Sequence, residues 1–151
     1  MLKQNLQEEL KQSMLARDEL KTSVLRMLLS AVNYYEIQKG GAGYTASNAD
    51  VLAVVQKEAK QRNDSIEQFT KANRQDLADK ETRELEMLKK YLPEQMSGEE
   101  VRTLVKTTVA QTGASSIQDI GKVMAILMPK VKGKADGGLV SKLVKEELTS
   151  R

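Results

Sequence analysis

The chain has 151 residues, a formal net charge of +3, no Cys and no His. Absence of Cys excludes disulfides, thiol nucleophiles and thiolate metal sites; absence of His removes the commonest neutral-pH acid–base group and metal ligand. No run approaches 18 apolar residues and the opening MLKQNLQEEL has acids but no apolar h-region, so the expectation is a cytosolic, cytoplasmic protein with no transmembrane helix, no signal peptide and no membrane partner.

Helical punctuation runs along the chain. Leu2, Leu6, Leu10 and Met14 fall four apart, the spacing of one helical face. Asp18 can cap a second helix with Leu20, Val24, Leu28, Ala31 and Tyr35 on its buried side, stopped by Gly40, Gly41 and Gly43. Ser47 and Asp50 have the spacing of a capping box for a third helix. Its seam, Leu52, Val55, Ala59, Arg62, Ile66 and Phe69, follows 3-4-3-4-3 spacing and suits a neighbouring helix at a shallow angle. Arg62 is the charged member, expected to lay its stem on the seam with the guanidinium outside. A fourth helix with Leu77, Leu85, Leu88 and Leu92 must end at Pro93. No segment sustains period-two alternation.

"LPEQMSGEE" marks a boundary, because Ser97 and Glu100 form a fresh capping box after the Pro93 stop. Val101, Leu104, Val105 and Val109 give the next helix its apolar face, and Gly113 ends it. Ser116 can cap a helix burying Ile117, Ile120, Met124, Leu127 and Met128, with Pro129 near its end. Asp136 can cap a last helix with Val140, Leu143, Val144 and Leu148 inside. The fold class expected is all-α: a helical N-terminal domain over residues 1–95, then a three-helix tail domain over 96–151. A cut at Glu94 to Met96 is expected to leave the N-terminal unit folded.

Little chemistry is legible. Most carboxylates sit opposite apolar positions, where solvated charge is expected, and no pair stands out. Gly121-Lys122 continues into Val rather than Ser or Thr, so it is no P-loop, and "GGAGYTA" lies between helices rather than after a strand. No catalytic constellation, metal site or cofactor is expected. The charge is uneven, however. Residues 1–96 hold 15 Lys+Arg against 15 Asp+Glu, whereas 97–151 hold 9 against 6. Between Lys122 and Lys145 there are six lysines and one acid, Asp136. Gly137 and Gly138 would admit a phosphate at the last helix's N-terminus, but an Asp136 cap would occupy those amides, so the turn itself is read as structural. The aromatics Tyr34, Tyr35, Tyr44, Phe69 and Tyr91 all precede the tail, which leaves backbone or shape recognition rather than stacking on unpaired bases.

"IGKVMAILMPKVKGKADGGLVSKLVKEEL" resembles the tail domain shared by YqeY proteins and the B subunit of glutamine-dependent tRNA amidotransferases. Gly121-Lys122-Val123-Met124, the Lys132-Gly133-Lys134-Ala135 turn and the helix from Leu139 to Leu148 carry the likeness. Upstream, "RMLLSAV", "EAKQRNDSIEQFTKANRQDLADKE" and "YLPEQMS" resemble the YqeY pattern, so it covers nearly the whole chain. Asp136-Gly137 departs from the Asn-Pro or similar pair usual in the amidotransferase subunit. The resemblance implies a bacterial protein of two helical domains whose tail, as in the amidotransferase, helps to hold tRNA. The phosphorylating and transamidating core of that subunit has no counterpart in so short a chain. The expected partners are therefore tRNA or tRNA-processing proteins, met through Lys122, Lys130, Lys132, Lys134 and Lys142. The alternatives are a protein-interaction adaptor and an accessory factor in glutamine-dependent amide transfer.

Overall fold

The computed structural model describes residues 1–150, and among them there are seven α-helices and no strand. Two compact units divide the chain, Met1–Leu92 and the residues from Pro93 onward. The first holds α1 (Leu2–Leu15), α2 (Glu19–Gly40), α3 (Asn48–Lys71) and α4 (Gln75–Lys89). The second holds α5 (Gly98–Thr112), α6 (Ile120–Val131) and α7 (Gly137–Thr149).

Local signals place most helix starts. The Asp18 side chain accepts the Lys21 amide, and Ser47 and Asp50 cap α3 reciprocally, as Ser97 and Glu100 cap α5. Gly113 ends α5 at φ 67, the left-handed geometry that costs other residues most. At α1 the same closure falls to Arg17, at φ 54, while the Asp18 amide reaches back to the Ser13 carbonyl at 3.0 Å. A side chain there costs about 1 kcal/mol. Arg17→Gly should therefore raise the stability of the N-terminal unit by about that amount, a rise of roughly 4–8 °C in Tm for a domain of this size. No change on thermal unfolding would show that the arginine recovers the cost through other contacts.

In the N-terminal unit Leu6, Val24, Leu25, Leu28, Val32, Val51, Val55 and Leu88 form a closed core. The tail has its own, dominated by valines: Val101, Val105, Val109, Val123, Val131, Val140 and Val144, with Leu127. Several expected core positions lie elsewhere. Met14, Leu20, Ile117 and Met128 are exposed, Met14 because it sits in the last turn of α1 and Ile117 because it belongs to a 3-10 turn before α6. On α3 the buried face is wider than the expected seam. Val51 and Val54 are buried while Leu52 is only partly so, because α3 packs against α1, α2 and α4.

Arg62 corrects the reading of α3 more deeply. Its guanidinium is inside, not outside: Nη1 donates to Glu84 Oε2 at 2.6 Å and to Glu81 Oε2 at 3.1 Å, both from α4. Nη2 lies 3.6 Å from the Met27 sulfur, and Nε is buried with no partner. The partner carboxylates lie about twenty positions further on, where no pattern along α3 could announce them.

Candidate nucleic-acid interface

The lysine-rich turn is built by backbone hydrogen bonds on both sides. At the end of α6 the Lys132 amide donates to the Met128 carbonyl, and the Lys134 and Ala135 amides converge on the Val131 carbonyl at 2.9 and 3.0 Å. Gly133 makes the reversal at φ 81 and is itself buried, with Pro93 Cγ 3.6 Å from where a Cβ would stand. Two residues before α5 hold the turn from outside. Gln95 Nε2 donates to the Gly133 carbonyl at 2.8 Å, and the Met96 amide to the Lys134 carbonyl at 2.9 Å. The main chain of the turn is thus pinned while the side chains of Lys130, Lys132 and Lys134 stay exposed. Among the described residues, none of the three has a carboxylate within 4 Å.

The remaining expected lysines are placed differently. Lys142 is more than one turn inside α7, where it lines a shallow depression of about 380 Å³ with Gly138, Ser141, Lys145, Glu146 and Thr149. Lys145, outside the expected set, shares that surface, and its i, i+3 spacing from Lys142 was the signal available. Lys122 stands in the first turn of α6, about 12 Å of helical rise from Lys130. It also has company, with Asp119 Oδ1 3.8 Å away. Hydrogen bonds from the Ser115 and Ser116 amides, and then the Lys122 charge, hold the Asp119 carboxyl below its usual range. The structure therefore gathers Lys130, Lys132 and Lys134 into one corner, sets Lys142 with Lys145 on α7, and leaves Lys122 at the far end of α6.

Asp136 does what a cap does. Its Oδ2 accepts the Leu139 amide at 3.3 Å and lies 3.1 Å from where a Gly138 Cβ would be, so its carboxylate covers the first turn of α7. An anion approaching those amides would meet that carboxylate first. Positive charge at this corner comes from the lysines and not from the helix N-terminus.

Solvated charge does not describe every carboxylate, and Asp50 is the second exception after Glu84. Both are buried. Asp50 accepts five hydrogen bonds: Oδ1 from Tyr35 Oη and Lys39 Nζ, Oδ2 from Tyr44 Oη and from the Ser47 amide and hydroxyl. Lys39 Nζ also stands 5.2 Å from the ring centroids of both Tyr35 and Tyr44. The capping residue of α3 thus doubles as a lock on the 41–47 loop. Donation from Lys39 first, then from Tyr44 and Ser47, holds the Asp50 carboxyl far below its ordinary value of 3.8. The bond to Asp50, followed by those to Tyr35 and Tyr44, raises the Lys39 ammonium well above the usual lysine range. A depressed carboxyl contributes stability that is complete above its unfolded pKa and fades as pH falls towards its folded one. Asp50→Asn should therefore be less stable than the parent by a constant margin from about pH 8 to 5, narrowing below about pH 4. Urea midpoints across that range check it; a margin unchanged at pH 3 and below would show that Asp50 is not the ionised centre of the lock.

These features define an all-helical protein of two units whose tail holds a lysine-bearing turn rigidly in the open. The chain belongs to the YqeY-like protein family, whose model matches residues 3–148. It is 40% identical over 91 residues to a Lachancea thermotolerans protein named altered inheritance of mitochondria protein 41, mitochondrial, covering 58% of this chain and 46% of that one. An uncharacterized protein of Schizosaccharomyces pombe is 38% identical over 92 residues, 61% of this chain and 72% of that one. The chain spans about half the length of the mitochondrial relatives it matches. These relatives correct the expected setting. They are yeast proteins, several of them mitochondrial by name, so the expectation of a cytoplasmic, bacterial protein is not retained.

Proposed function

We propose that this YqeY-like protein is a non-catalytic module that binds tRNA, or a complex handling tRNA, through the lysine corner of its tail. The observation that carries the reading is the turn at residues 130–134: three exposed ammonium groups on a main chain fixed by hydrogen bonds at both ends. A fixed array of cations facing solvent suits a phosphate backbone, which offers regularly spaced charge and releases counterions when neutralised. Lys142 and Lys145 extend the basic surface along α7, and no aromatic residue follows Tyr91, so nothing in the tail can stack on a splayed base. Support for tRNA in particular comes from the resemblance of the tail to that of the amidotransferase B subunit.

The test is fluorescence anisotropy with labelled unmodified tRNA at about 50 mM salt, alongside a single-stranded RNA of equal length. Saturable binding of tRNA, tighter than that of the single strand, is the expected result. Undetectable binding of either would replace this reading with the adaptor one. An accessory role in amide transfer would instead show as faster amidation when the protein is added to a complete amidotransferase, without need of the lysines.

A further inference from the structure

We infer that a groove between α1 and α2 is a docking site for an acidic amphipathic helix of another protein. Its volume is about 700 Å³. Leu10 and Leu29 form a recessed apolar floor with Met14, which is 49% exposed and supplies the pliable surface on which partner helices settle. The rim is cationic. Lys11 and Arg26 line the groove itself, and Arg17 lines its continuation, which shares Met14 and Arg26 with it.

Charge decides the occupant. Among the described residues neither Arg17 nor Arg26 has a carboxylate within 4 Å, and Lys11 has only the exposed Glu8 at 3.7 Å. Glu19, in the continuation, is the one acid lining either part. Three cations around an apolar floor call for a ligand with leucine-like side chains on one face and carboxylates beside them. Along α2 the groove and its continuation run from Glu19 to Asn33, about 21 Å or about four helical turns. A bilayer is a poorer fit, because the floor is recessed: Leu29 is 8% exposed. A second copy is poorer still. Among the described residues α3, α4 and α5 expose no large apolar side chain, and those exposed on α6 and α7, Ile126, Met128 and Leu139, stand among lysines. Beyond the groove itself, α1 and α2 expose Leu15, Leu20, Met27, Tyr34 and Ile37, but Arg17, Lys21, Arg26 and Lys39 stand beside them in the sequence, so a second copy would set cation against cation. The partner must therefore bring its own acidic helix.

The experiment uses the full chain and a labelled helical peptide of about 14 residues, with Leu at i, i+3, i+4 and i+7 and Glu on the flanks, beside a twin with Lys for Glu. Anisotropy should show the acidic peptide bound at least about tenfold more tightly than its twin, and Arg26→Glu should erase that preference. Arg17→Gly removes a rim cation while relieving the left-handed backbone, so weaker binding by this variant cannot come from unfolding. Equal affinity of the two peptides, or no binding of either, overturns the proposal. So does groove-dependent binding to phosphatidylserine vesicles without peptide binding, or a dimer on sedimentation that Arg26→Glu dissolves.

Discussion

Replacing Arg62 by Ala is expected to destabilise the N-terminal unit by about 3–5 kcal/mol, as much as truncating a fully buried leucine of its core. The arginine and Glu84 are each 7% exposed at the side chain, and Nη1 bridges Glu84 and Glu81. Losing the cation leaves a carboxylate in an apolar layer between α3 and α4 with nothing to offset its lost hydration. Glu84→Leu alone should cost less, because the guanidinium keeps Glu81 Oε2 at 3.1 Å from Nη1. The paired change Arg62→Met with Glu84→Leu should be neutral or stabilising. It removes both charges and also the Nε left without a partner, itself a burden of about 1–3 kcal/mol. Urea unfolding of the three variants tests the pattern. If the single changes cost under about 1 kcal/mol, the guanidinium reaches water and the pair is not buried in solution.

Affinity for tRNA should fall about a hundredfold between 50 and 200 mM salt. Contacts from Lys130, Lys132, Lys134 and Lys142 would give log affinity a slope of about −3.6 against log salt by the duplex rule. Lys132→Ala with Lys134→Ala should halve that slope and leave stability within about 0.5 kcal/mol, since both side chains are exposed on a main chain held by other atoms. Lys122→Ala should alter the slope less, because that lysine lies at the far end of α6 beside Asp119. Asp136→Ala separates charge from fold: it removes the α7 cap, costing about 1 kcal/mol, and also a negative charge beside the lysines. Weaker folding with equal or tighter binding is the expected outcome. A slope unmoved by the lysine pair would make the corner an ordinary solvated rim.

Helix starts were legible because caps are local: Asp18, Ser47 with Asp50, Ser97 with Glu100 and Asp136 each act within three or four residues. What could not be read was set by contacts across the chain. Arg62 looked like a snorkelling seam residue because Glu84 is 22 positions away, and Asp50 looked like a simple cap because Tyr35 and Lys39 come from the preceding helix. Of the candidate interface, the lysines were legible as charge, and their exposure followed from their places in turns and on polar helical faces. The groups that fix the turn were not. Gln95 and Met96 belong to a stretch that reads as a loose linker, and their bonds reach 38 positions forward.

That stitch changes where an insertion can be tolerated and what can be transplanted. A segment inserted between Glu94 and Met96 enters strands of thread that already bind the tail, so the safer junction falls at Leu92 and Pro93. A tail moved into another protein from its capping box at Ser97 would arrive with the Gly133 and Lys134 carbonyls bare and its lysine corner slack. One that begins at Pro93 would carry its own clasp.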